Sequence, residues 1–141
     1  MKEAAKAATG IIRSGLQLAA LELMDEVPMS VSNKHGSAVV RKRHWTENPA
    51  LFLEFSGTTA GIQSDISRVE TIIKPFNAGQ FFFAQTKQEE IDLWSGRKEA
   101  LWTMMSIKPE GFNIWSTDVA VPISRLADII SESRSPKYVL L

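Results

Sequence analysis

The order of apolar and polar positions along the chain resolves into alternating helical and extended segments. Residues 3–14 are strong helix formers and should end near Gly15. From Leu16 to Met24 the period shortens to that of a strand. Ala19, Leu21 and Leu23 fall on one face, and Leu18, Ala20, Glu22 and Met24 on the other. Residues 26–48 carry Pro28, a Ser/Asn cluster and the run Arg41-Lys42-Arg43-His44. They read as a short helix followed by a polar excursion, with Ser37 to Arg41 compatible with a strand.

Beyond Pro49 the pattern sharpens. Leu51-Phe52-Leu53-Glu54-Phe55 reads as a strand closed by Ser56-Gly57. Ile62, Ile66, Val69 and Ile73 recur at helical spacing, giving an amphipathic helix over 59–74 that Pro75 stops. Asn77-Ala78-Gly79 should turn, and Phe81-Phe82-Phe83 should form a buried strand. Thr86 and Glu89 have the spacing of a capping box, opening a helix that runs to Ser106. Lys108-Pro109-Glu110-Gly111 is a turn, Asn113 to Val121 reads as extended, and Pro122 introduces a last helix. Strands separated by helical segments suggest one sheet with helices on a face. The fold class expected is α+β, an incomplete ferredoxin-like sheet with helices packed on one face.

Composition narrows the chemistry. With 141 residues, 44% of them hydrophobic and 23% charged, the chain suits one globular domain. Formal net charge is zero, so no overall field favours nucleic acid. There is no cysteine, which removes disulfides, thiolate metal sites and cysteine nucleophiles together. No apolar stretch is long enough for a transmembrane segment. No signal-peptide core or other targeting signal is visible at the N-terminus.

Few residues offer chemistry of their own. His35 and His44 lie in the polar middle region without ligand-spaced partners and read as solvated loop histidines. No G-x-S-x-G, phosphate-cradling glycine loop or G-x-G-x-x-G occurs. The run Arg41 to His44 before Trp45 reads as a solvated loop tip, because one short basic run is thin ground for a nucleic-acid site. Glu22 and Glu54 would make an acid/base pair only if their strands placed them side by side. Otherwise they mark the exposed face of a half-buried sheet.

The segment 87–106 carries the strongest signal. Ile91, Leu93, Trp94, Leu101, Trp102, Met104 and Met105 cover about half of a helical circumference. Arg97 falls within that arc between Leu93, Leu101 and Met104, and Lys98 lies in it toward Ile91. A guanidinium buried there would need an anion. A substrate carboxylate would serve, as its two oxygens match the planar fork. A snorkelling head in water, or an internal pair with Glu54 or Asp118, would serve equally.

Three further segments shift that balance. Leu51-Phe52-Leu53-Glu54-Phe55-Ser56-Gly57, Leu93-Trp94-Ser95-Gly96-Arg97-Lys98-Glu99-Ala100-Leu101 and Thr117-Asp118-Val119-Ala120-Val121-Pro122-Ile123-Ser124-Arg125-Leu126 stand in that order. Together with Ala20-Leu21-Glu22-Leu23-Met24-Asp25, they resemble the cap, or substrate, domain of FAD-linked D-lactate dehydrogenases of the cytochrome type. Those are flavoproteins of the vanillyl-alcohol-oxidase type, and the likeness is to the fungal mitochondrial branch. It spans residues 1–133, taken as a partial FAD-linked oxidase C-terminal (cap) domain, with 134–141 as an unmatched tail.

The resemblance implies a cap that closes over a flavin. It implies that Arg97 grips the carboxylate of a 2-hydroxy acid, with Ser116 and Thr117 near the same pocket. The reaction implied is hydride transfer from D-lactate, or another D-2-hydroxy acid, to FAD, with electrons passed on to cytochrome c in the mitochondrion. The family's flavin domain and its H-x-G-D-G-N-x-H segment, which supplies the metal site and base, have no counterpart in these residues. The chain is therefore expected to be a fragment, inactive alone, with no catalytic, cofactor-binding or metal-binding residue of its own. Gly96 stands where the family usually has alanine. The alternative from another class is a non-catalytic α+β binding or interaction module.

Overall fold

The computed structural model describes residues 1–79, 81–114 and 116–133. The chain is α+β, with six α-helices and two strands among the described residues. These are α1 (Lys2–Arg13), β1 (Ala20–Met24), α2 (Glu26–His35), α3 (Ala38–Lys42), β2 (Ala50–Glu54), α4 (Thr59–Ile73), α5 (Lys87–Ser106) and α6 (Leu126–Ser133). The strands form a two-stranded antiparallel sheet. The chain divides into two compact units. One comprises Met1–Leu23, Leu51–Gly79 and the described residues from Val119 onward; the other comprises Met24–Ala50 and the described residues of 80–118.

In the first unit, α1 packs against α4 and α6. The alanine-rich start of α1 explains how. Ala5, Ala7 and Ala8 are buried beside Ile11, and their small side chains let neighbouring helices come close. At Gly10, a Cβ would stand 3.2 Å from the Ile72 side chain of α4. Helix α4 presents the expected stripe, with Val69 and Ile73 buried and Ile62 and Ile66 half-buried. Thr58 caps its N-terminus by accepting a hydrogen bond from the Gly61 amide. At its end, Lys74–Phe76 tightens into a 3₁₀ turn at Pro75, and Asn77 takes the left-handed conformation that closes it.

The second unit gathers α2, α3 and α5. Asp25 caps α2 through the Val27 amide, and Ser37 caps α3 through the Val40 amide. That cap is why Ser37 to Arg41 is helical, against the strand-compatible reading. A serine followed by four helix-tolerant residues nucleates a turn once Val40 has a core to enter. The expected Thr86 cap on α5 is present: its hydroxyl accepts from the Glu89 amide. Glu89 reaches back one residue further than a standard capping box, accepting from the Gln85 amide at 2.6 Å.

Two expected strands are not formed. Phe81 to Phe83 has no ladder, and Phe82 and Phe83 are exposed. The described residues of Asn113 to Val121 likewise join no sheet. An apolar run becomes a strand only when another edge comes alongside to take its amides and carbonyls, and periodicity cannot supply that edge. The expectation about residues 134–141 lies outside the described residues.

Candidate functional site

The second unit is organised around Trp45. Its backbone amide donates to Asn33 Oδ1 at 2.8 Å, and its carbonyl accepts from Asn33 Nδ2 at 2.7 Å. Asn33 therefore clamps the residue from α2 as a neighbouring strand would. The indole N–H donates to the Val40 carbonyl of α3 at 2.9 Å. With three polar ties made, the ring lies against α5 at Gly96. A Cβ at that position would come within 2.7 Å of Trp45 Cζ2 and 3.2 Å of Cε2. The glycine that looks like a helix defect is where an indole seats on bare backbone.

This seat corrects the expected orientation of α5. Gly96 and Thr103 are its buried residues, while Ile91, Leu101, Trp102 and Met105 are exposed, Trp102 at 69%. Four residues of the apolar arc are thus exposed, while Leu93, Trp94 and Met104 of the same arc are half-buried. The smallest side chains form the packed face because close approach to an aromatic ring contributes more contact there than a row of large residues held at a distance. Arg97 follows Gly96 directly and is exposed, as is Lys98. Burial therefore gives Arg97 no need of an anion. It is an exposed residue one position from a rigid contact.

Ser116 and Thr117 are also exposed and lie in no regular element. His35 closes α2, and His44 is exposed with a positive φ of 52°. Among the described residues no group of three potential metal-binding side chains comes together. Glu22 and Glu54 are not set side by side. The Glu54 carbonyl accepts from Ala19 just before β1, whereas Glu22 sits in the middle of that strand.

Glu47 joins the Trp45 clamp at its surface, accepting from Asn33 Nδ2 at 3.1 Å. That bond, with a second from Ser30, holds its carboxyl below the usual range; burial opposes the shift and Lys34 adds to it. A depressed carboxyl pKa means a contribution to stability that is present above the unfolded value and lost as pH falls through the folded one. An NMR titration should find Glu47 titrating below an ordinary glutamate, and Asn33→Ala should move its midpoint up. An unchanged midpoint in that variant would remove Asn33 as the cause.

Sequence reasoning gave Asn33 no role and took Trp45 only as the aromatic following the basic run, itself read as a solvated loop tip. The legible signal was Gly96. An isolated glycine inside a strong helix pattern costs about 1 kcal/mol against alanine, which points to a packing reason for its presence.

Comparison with known proteins agrees with the quoted segments. The family described as FAD linked oxidases, C-terminal domain, matches residues 1–135. The mitochondrial D-lactate dehydrogenase [cytochrome] of Kluyveromyces lactis is 37% identical over 139 residues, covering 95% of this chain and 24% of that protein. The Arabidopsis thaliana protein of the same name is 37% identical over 134 residues, and D-lactate dehydrogenase [cytochrome] 1 of Saccharomyces cerevisiae 33% over 138. Each match covers 95% of this chain and 23% of the relative. The chain thus spans about a quarter of the length of these relatives. With a match running through nearly every described element, the chain belongs to the C-terminal domain family of FAD-linked oxidases.

Proposed function

We propose that this chain is the substrate-facing part of a FAD-dependent D-2-hydroxy acid dehydrogenase, with D-lactate as substrate and Arg97 as the carboxylate-binding residue. The observation that carries the reading is the placement of Arg97. It projects from a twenty-residue helix, next to the glycine on which Trp45 is seated, so its backbone is held at an exposed position. A guanidinium gives a carboxylate two parallel charge-assisted hydrogen bonds and so sets its orientation as well as its position. Orientation of the substrate is the contribution expected of it. Ser116 and Thr117, exposed in the same unit, are the residues proposed to approach the substrate as well.

The family is FAD-linked, and FAD supplies electron-accepting chemistry when bound. The described residues do not themselves fit it. A flavin ring system requires a flat, largely apolar slot with placed donors. The grooves of the first unit, one lined by Ser14, Ser64, Ser67, Arg68, Thr71 and Ile72 and the other by Lys6, Thr9, Gly10, Arg13, Phe76, Ser124 and Ala127, are instead open to solvent and enclose no slot. The flavin is accordingly assigned to other residues of a longer protein, and this chain alone is expected to be inactive. The relatives' names carry the words cytochrome and mitochondrial, and the same proposal takes cytochrome c as electron acceptor and a mitochondrial location.

Co-expression with a flavin domain from a relative tests the reading. D-lactate-dependent reduction of cytochrome c should appear only when both parts are present. Arg97→Ala should then lower kcat/KM by about 30-fold or more, the scale of a lost charge-assisted pair. Arg97→Lys, which keeps the charge without the fork, should recover only part of it. Undiminished activity in Arg97→Ala would take this residue out of the site.

A further inference from the structure

The second unit carries a surface that the proposed substrate role does not use. From Val27 to Thr46 the chain has no acidic residue, but it has Lys34, Arg41, Lys42, Arg43 and two histidines. Folding concentrates them: Lys34 and His35 end α2, and Arg41 and Lys42 end α3, all four exposed. The Arg43 guanidinium lies over two rings at once, 5.1 Å from the centroid of Trp45 and 5.7 Å from that of Phe82. The second contact fastens the Phe81–Phe83 segment beside the basic end of α3. Phe82 is 61% exposed and Phe83 44%, and Val39 of α3 is exposed as well.

A cation held against exposed apolar rings, with further exposed cations beside it in sequence, matches a phase that is anionic outside and hydrocarbon within. Single-stranded nucleic acid shares the need for cations but stacks its bases on open ring faces. Here one face of each ring is already in use. Phe82 has one face under Arg43, and Phe81 and Phe83 stack on each other at 5.8 Å with 9° between planes. We propose that this basic aromatic surface docks on an anionic phospholipid bilayer, Phe82 and Phe83 entering the interface while Arg41, Lys42 and Arg43 meet headgroup phosphates. The proposal is independent of Arg97 and of any catalytic reading.

The test is co-sedimentation of the 141-residue chain with phosphatidylcholine vesicles, with and without phosphatidylserine. Binding should require phosphatidylserine and weaken with added salt. Arg41→Gln with Lys42→Gln, both exposed and outside the Trp45 clamp, should weaken it about 30-fold. Phe82→Ser with Phe83→Ser should weaken it about tenfold or more. Trp102→Ser, at a more exposed aromatic on α5, should leave it unchanged. Equal binding to pure phosphatidylcholine, no binding to either vesicle, or undiminished binding by either double variant would overturn the proposal. So would an equal loss in Trp102→Ser, or displacement from the vesicles by polyuridylate.

Discussion

A methyl group added at position 96 should destabilise the second unit by about 1–3 kcal/mol, although alanine is the better helix former by about 1 kcal/mol. The added carbon would stand 2.7 Å from the Trp45 ring, well inside contact distance. Relief by moving the indole is blocked at three points: its N–H bond to Val40, and the two bonds between Asn33 and its backbone. Moving the helix instead would open the packed face at Thr103. Urea denaturation of Gly96→Ala measures the loss. The same substitution beside Trp45→Phe should cost less, because the six-membered part of the indole that meets the new carbon is gone. A Gly96→Ala chain as stable as the parent would show that the indole does not rest on that backbone.

The first unit should lose about 2–5 kcal/mol when Ile11 is replaced by alanine. Ile11 is fully enclosed, and the other apolar residues buried on α1 are alanines, so no long neighbour on that helix can relax into the gap. The space would be bounded by the rigid approach of α1 to α4 at Gly10 and Ile72. Ile11→Val, which removes a single methylene, should cost about 0.5–1.5 kcal/mol. A loss in Ile11→Ala no greater than in Ile11→Val would mean that the site collapses and that α1 is less firmly packed than it stands here.

The exposed arc of α5 shows where reading a sequence by period stops. Ile91, Leu101, Trp102 and Met105 do share one side of the helix, as their spacing requires. Period places residues on a common face, but says nothing of which face meets a neighbour. That was decided by Trp45, fifty-one positions before Gly96 in the chain, through a ring that only a residue without Cβ can accept. Arg97 moved with it, from an inferred interior to the surface. The family, by contrast, was legible in short ordered segments, since those patterns do not depend on how the helices turn.

Local chemistry was enough for α1, β1, β2, α4, α5 and α6, because caps, prolines and apolar spacing act within a few residues of where they are written. Thr86, Pro75 and Pro122 mark ends that the folded chain keeps. Tertiary structure decided that Phe81 to Phe83 would lie open beside Arg43 and that the small face of α5 would be the packed one. Each of those outcomes depends on a partner far away in the chain. A segment's own residues carry its preferences, but not the surface that will arrive to satisfy them.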